Sequence, residues 1–167
     1  MPIYLRHTQE VRLAELPDHI RKKLTEHAES RQIVLGNPRV WVTRSQNPPA
    51  SSAFGKLLRR RANPVDPDEE HYTVVLLHPT QILVVTDGAK RGTAVLSLPL
   101  AQASVDFGTG LSATLNPAAA DAGGFTITGF PGEQAGSFYV GLGPEVAAVE
   151  CFSAVQSAIT AAKNPGA

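Results

Sequence analysis

Two apolar runs constrain the fold more than any other feature: Tyr72-Thr73-Val74-Val75-Leu76-Leu77 and Ile82-Leu83-Val84-Val85-Thr86, separated by His78-Pro79-Thr80-Gln81. Their β-branched content and turn-forming boundaries predict two strands joined by a tight hairpin. Asp87-Gly88 then turns the chain towards a short strand at 93–98. Further extended candidates are 100–107, 125–130 and 137–142, set apart by a Gly-, Ala- and Pro-rich segment at 108–124 and by Pro131-Gly132-Glu133. Upstream, Ile33-Val34-Leu35 and Val40-Trp41-Val42-Thr43 read as one extended segment, bent or bulged at Gly36-Asn37-Pro38. About seven short strands result, spaced as in a small sandwich or barrel. The 14 Gly and 13 Pro punctuate them.

Helices flank this strand-rich stretch. After Pro17-Asp18, the residues Ile20, Leu24 and Ala28 recur every four positions while Arg21, Lys22, Lys23 and Glu26 fall on other faces, so a helix with a narrow apolar stripe is predicted. A second helix is predicted over 144–163. Pro144 and Glu145 suit its amino terminus, Val146, Val149, Phe152, Val155 and Ile159 form its apolar stripe, and Asn164-Pro165-Gly166 stops it. Residues 1–30 are read as an amino-terminal segment and helix packed on a main domain at 31–163, with 164–167 as a tail.

The formal charge is zero, with 15 Lys+Arg against 15 Asp+Glu, which excludes a protein whose whole surface is a nucleic-acid footprint. The zero hides an asymmetry: residues 1–70 carry a net +3 and residues 71–167 a net −3. The single cysteine, Cys151, forms no internal disulfide and excludes cysteine-based zinc patterns, and it reads as a small buried hydrophobe. Residues 1–12 carry Arg6, Glu10 and Arg12 and no apolar stretch of signal-peptide length, and no run approaches the length of a membrane span, so a cytoplasmic chain is expected. Between Arg44 and Glu70 periodicity is lost. Residues 54–61 read as two turns of basic amphipathic helix inside a loop framed by prolines, and loops of this length tend to carry function or to be disordered.

Seven strands followed by one carboxy-terminal amphipathic helix resemble the pleckstrin-homology (PH) superfold. The clearest parts are the hairpin Tyr72-Thr-Val-Val-Leu-Leu/Ile82-Leu-Val-Val-Thr-Asp-Gly and the stripe from Val146 to Ile159. The helix at Leu16-Pro-Asp-His-Ile-Arg-Lys-Lys-Leu is similar to the leading helix of some bacterial members. Eukaryotic members carry a Trp on the last helix, where this chain has Phe152 and places its one Trp at position 41. The resemblance implies a bent, partly open β-barrel plugged by the last helix, α+β and mainly β. In lipid-binding members, a Lys followed by Arg-x-Arg grips an inositol phosphate, which points here to Lys56, Arg59, Arg60 and Arg61. This cluster lies in a loop and does not end on a strand.

Two uses of the loop follow. Phe54, Leu57 and Leu58 beside those four cations could insert shallowly into an anionic membrane, each cation contributing about 1 kcal/mol. The plainer alternative is a solvated basic loop that pairs with Asp66, Asp68, Glu69 and Glu70. His71 beside those acids admits a metal or general-base reading, but acid-rich loop ends are more often solvating segments. Phosphate-loop and nucleophile-elbow motifs are absent from the sequence, and aromatics do not interleave with the arginines as a nucleic-acid binder needs. The sequence therefore predicts a noncatalytic binding or scaffold module without cofactor or metal. Its expected partner is another protein or a second copy of itself, and the alternative is an anionic membrane surface.

Overall fold

The computed structural model describes residues 4–50, 52–57, 61–63, 65–107, 123–131 and 136–166. Among these, eight strands and three α-helices form an α+β, mainly β architecture in the order β1 (Leu5–Val11), α1 (Asp18–Ser30), β2 (Arg39–Gln46), α2 (Ala53–Leu57), β3 (Glu70–Leu77), β4 (Gln81–Gly88), β5 (Gly92–Pro99), β6 (Ser104–Phe107), β7 (Gly124–Phe130), β8 (Gly136–Gly141) and α3 (Val146–Lys163). Strands β1 to β5 form an antiparallel meander, and β6 to β8 form a second antiparallel sheet. No ladder joins the two sheets among the described residues.

Both apolar runs of the hairpin are buried on each side of the larger sheet, which explains why they are continuous rather than alternating. Period-2 geometry sends Val74, Leu76, Leu83 and Val85 to one face, where they meet Leu16, Ile20 and Leu24 of the α1 region. The intervening Val75, Ile82 and Val84 point the other way, into a core shared with Trp41, with Phe125, Ile127 and Val140 of the smaller sheet, and with Cys151, Val155 and Ile159 of α3. The layers are thus α1, the five-stranded sheet, and then the three-stranded sheet with α3. The stripe Ile20, Leu24 and Ala28 is wholly buried, as its spacing requires.

The structure departs from the sequence reading at five places. Asp87-Gly88 is not the turn: both residues end β4, paired with Thr93 and Gly92, and the chain turns at 89–91. Residues 5–11 form an edge strand inside the segment for which the sequence predicts no strand, because only Thr8 of its seven residues is buried. Ile33-Val34-Leu35 is not a strand: the ladder begins at Arg39, and Val34 is 83% exposed. Residues 100–107 begin with a 3-10 turn at Leu100–Gln102, and only then does β6 start. On α3 the buried face is Ala148, Cys151, Val155 and Ile159, whereas Val146 and Val149 are 74% and 68% exposed. Small side chains let this helix approach the sheets closely, which turns the larger valines at its amino end outward.

Helix α3 is fastened to β1 at its first turn. Glu145 precedes the helix, and its carboxylate accepts the backbone N–H of Thr8 at 2.9 Å and pairs with Nδ1 of His7 at 2.6 Å. The N–H of Gly143 donates to Oγ1 of Thr8 at 2.8 Å. A Cβ at Gly143 would lie 2.8 Å from the carbonyl oxygen of Arg6, so only glycine permits this approach.

Candidate interaction surfaces

The loop at 44–70 is built around a short stalk. Asn47 is buried, donates its Nδ2 to the carbonyl of Asn63 at 2.8 Å and accepts the Asn63 N–H on Oδ1 at 2.9 Å. The N–H of Ala62 donates to the carbonyl of Pro48 at 2.7 Å, and Pro49 and Arg61 form an isolated antiparallel bridge. Residues 47–49 and 61–63 therefore run side by side beyond the ends of β2 and β3. Asn47 and Asn63, each followed by a proline in the sequence, mark the two sides of the stalk.

Beyond it, α2 carries Phe54 and Leu57 one turn apart, 70% and 77% exposed. Lys56 lies on the same short helix. Leu58, Arg59, Arg60 and the side chain of Lys56 lie outside the described residues. Arg61 is on the stalk itself, half-buried, paired with Glu69 and within 3.5 Å of the carbonyl of Asn47. The structure therefore places the Arg61 guanidinium among the protein's own acceptors, while Phe54 and Leu57 face outward.

The acidic run does not behave as one unit. Glu70 accepts Nε of Arg44 at 2.6 Å and the hydroxyl of Tyr72 at 2.8 Å on the sheet surface. Asp66 and Asp68 turn inward instead. Asp68 accepts the backbone N–H of Lys90 at 2.7 Å and Nε of Arg91 at 2.8 Å, and Asp66 accepts the Tyr4 hydroxyl at 2.6 Å and pairs with Nη2 of the same Arg91. Burial alone would raise both carboxyls, but the hydrogen bonds from Tyr4 to Asp66 and from Arg91 to both hold them below the usual carboxylate range. Tyr4 is pushed up to about 12 by burial and by Asp66.

His71 packs edge-on to Tyr4, its ring centroid 5.5 Å away, and its Nδ1 lies 3.4 Å from Asp66 without a hydrogen bond. Burial and then the nearby Arg91 lower its pKa. Among the described residues no group of three or more His, Cys, Asp and Glu is placed to hold a metal ion. Arg91 already occupies the space between the two buried carboxylates. The sequence reading missed this arginine, which is 23 positions beyond Asp68; its only sequence signal was its place in the turn after Asp87-Gly88.

A third surface lies where β6 meets α3. The two run in opposite directions, with Nζ of Lys163 3.2 Å from Oγ of Ser104 at one end and the rings of Phe107 and Phe152 5.1 Å apart at the other. Near the second end, a cleft of about 400 Å³ is lined chiefly by Phe107, Leu142, Pro144, Ala148, Val149 and Phe152. Phe107 is 57% exposed, and among the described residues β6 is an outer strand of its sheet. Cys151, on the inner side of the same helix, has its thiol pushed up to about 12 by burial and acts as packing. No helix among the described residues is long and apolar enough to cross a membrane.

Comparison with known proteins gives no relative from which to transfer a role: no family model, curated protein or solved structure matches the chain.

Proposed function

We propose that this protein is a noncatalytic, PH-like binding module that takes an extended peptide segment of a protein partner into the cleft between β6 and α3. The observation that carries this reading is an apolar cleft of small-molecule to peptide size between β6 and α3. In extended-peptide recognition such a cleft takes one of the segment's alternate side chains. Asp106, exposed on β6, favours a segment with an apolar residue flanked by Lys or Arg. The element order supports the PH-like assignment: β2 to β5, then β6 to β8, then a helix packed against both sheets, with β1 and α1 as additions.

Selection from a randomised displayed peptide library tests this. Enriched peptides are expected to share an apolar residue beside a basic one and to lose at least about tenfold in affinity on Val149→Asp, an exposed position whose replacement leaves the core intact. Selected peptides that bind Val149→Asp as well as the parent would overturn the assignment. Failure of selection with the parent, followed by success once residues 108–122 are replaced by a short Gly/Ser linker, would show that the chain itself fills the cleft, and would likewise overturn it.

The outward pair Phe54 and Leu57 favours a second reading, peripheral attachment to anionic membrane through α2 and the neighbouring Lys56, Arg59 and Arg60. Co-sedimentation with phosphatidylserine vesicles that is lost in Phe54→Ala/Leu57→Ala would establish it. Equal sedimentation with neutral and anionic vesicles would remove it.

A further inference from the structure

Where the stalk leaves the larger sheet, one chain of hydrogen bonds joins the segment before β1 to the loop. The Tyr4 hydroxyl donates to Oδ2 of Asp66 at 2.6 Å and accepts Nδ2 of Asn63 at 2.8 Å, and Asn63 is bonded twice to the buried Asn47. Asn47 in turn donates its N–H to the carbonyl of Glu69 at 2.8 Å. His71, only 8% exposed, adjoins this chain, edge-on to Tyr4 and with Nδ1 3.4 Å from the same Oδ2 of Asp66. We propose that His71 is an acid-operated catch: when it takes up a proton, Tyr4 and the segment around Asp66 leave the end of the sheet, and the pairing of 61–63 with 47–49 opens.

The groups that face His71 are Tyr4 before β1, Arg6 on β1, Asp66 and Asp68 before β3, and Arg91 in the turn after β4. Its cross-strand neighbours, Ser45 on β2 and Gly88 on β4, carry no charge. Two cations thus already balance two anions, and both carboxylates are engaged. Asp66 holds Tyr4, the N–H of Asp68 and Arg91, while Asp68 holds the N–H of Lys90 and both the N–H and Nε of Arg91. A neutral imidazole carries one N–H, but the protonated ring carries one on the buried Nδ1 as well, an atom without a hydrogen-bond partner. That N–H either stays without an acceptor or takes the Asp66 oxygen that Tyr4 uses, and a buried, unmatched charge is costly in both cases. Burial first, then Arg91, depress the His71 pKa; Asp66 opposes them, Arg6 adds to the depression and Asp68 opposes it. The open form, with the ring in water, therefore takes the proton first. Opening also frees Arg61 from Glu69 and from the carbonyl of Asn47, and loosens the mounting of α2. The catch depends on neither binding reading.

The test is backbone amide exchange in the full chain, followed by nuclear magnetic resonance and corrected for the intrinsic rate at each pH. From about pH 7.5 to about pH 5.5, protection of the Asn47, Asn63 and Asp68 amides is expected to fall about tenfold, while staying below that of Val74 and Leu83 in the β3–β4 ladder at both values. His71→Gln should abolish the fall, whereas His27→Gln, on the far helix α1, should leave it intact because a local opening does not expose α1. The fall should also level off at the pH where the His71 ring itself titrates by its proton resonances, a reading that needs no variant. Protection independent of pH, a fall that survives His71→Gln or shrinks in His27→Gln, protection equal to that of Val74 throughout, or levelling off away from the His71 titration would overturn the proposal.

Discussion

Arg91 reaches Asp66 and Asp68 at once, and through them joins the loop after the stalk to the turn between β4 and β5 and to Tyr4 before β1. Both carboxylate side chains are almost wholly buried, so Arg91→Ala strands two anions and is expected to cost about 3 kcal/mol in urea unfolding. The same cluster sets an acid limit. Asp66 and Asp68 have folded pKa values below their unfolded ones, so their contribution is present above about pH 4 and is lost as pH falls through the folded values. His71 is a base with a lowered pKa, and so is His27, which burial and then Arg31 depress. The unfolded chain therefore takes up these two protons first, and stability erodes as pH falls below about 6.5. Melting temperature against pH should show an upper limb below about pH 6.5 and a steeper one below about pH 4. His27→Gln/His71→Gln should flatten the upper limb alone; an unchanged upper limb would assign it elsewhere. The sequence showed the histidine and the acids side by side, but their charge partner comes from a distant turn, and only the β3–β4–β5 meander brings it there.

At the scale of elements, legibility followed how much each element buries. Helix α1 and the β3–β4 hairpin were readable because their core residues are large and regularly spaced. Strand β1 was not, since Leu5-Arg-His-Thr-Gln-Glu-Val buries one threonine and is held by its ladder to β2 and by the Thr8–Thr43 hydroxyl pair at 2.8 Å. On α3 the larger valines misled because Ala148 and Cys151 take the core positions, and that reversal leaves Val149 free to line the cleft. The cleft between β6 and α3 is therefore among the parts least visible in sequence: it is lined by apolar residues, Val149 and Phe152, that hydrophobic periodicity assigns to the core. The fastening of α3 to β1 gives a prediction of its own. Burial acts to raise Glu145, but the bonds from Thr8 and His7 keep it low and charged. Glu145→Ala leaves the Thr8 N–H without its acceptor and is expected to cost about 1–3 kcal/mol and to speed amide exchange at Thr8. Glu145→Gln, which keeps an acceptor, should fall between the two; exchange at Thr8 unchanged in the Ala variant would show that the fastening contributes nothing.

For the whole molecule, the consequence of a sheet buried on both faces is that neither core is independent. Val74 and Leu76 pack under α1, while Val75 between them packs towards Trp41, Phe125 and α3. A chain of 167 residues lies slightly above the size at which two-state unfolding is usual, so separate melting of the layers is the natural competing expectation. The shared strands argue against it, because losing α1 would expose one face of β3 and β4 while their other face still holds the second core. Leu24, with no exposed surface, tests this from one side, and Trp41, the only tryptophan and on the opposite core, reports from the other. Leu24→Ala removes buried methyl groups against Val74 and Leu83 and is expected to cost about 2–5 kcal/mol. Followed by far-ultraviolet circular dichroism and by Trp41 fluorescence, the variant should still show one denaturant midpoint, shifted equally in both signals. A Trp41 midpoint left at the parent value while helical signal is lost earlier would mean that α1 and its core melt alone. The candidate surfaces at 47–63 and between β6 and α3 would then sit on a unit that folds without α1.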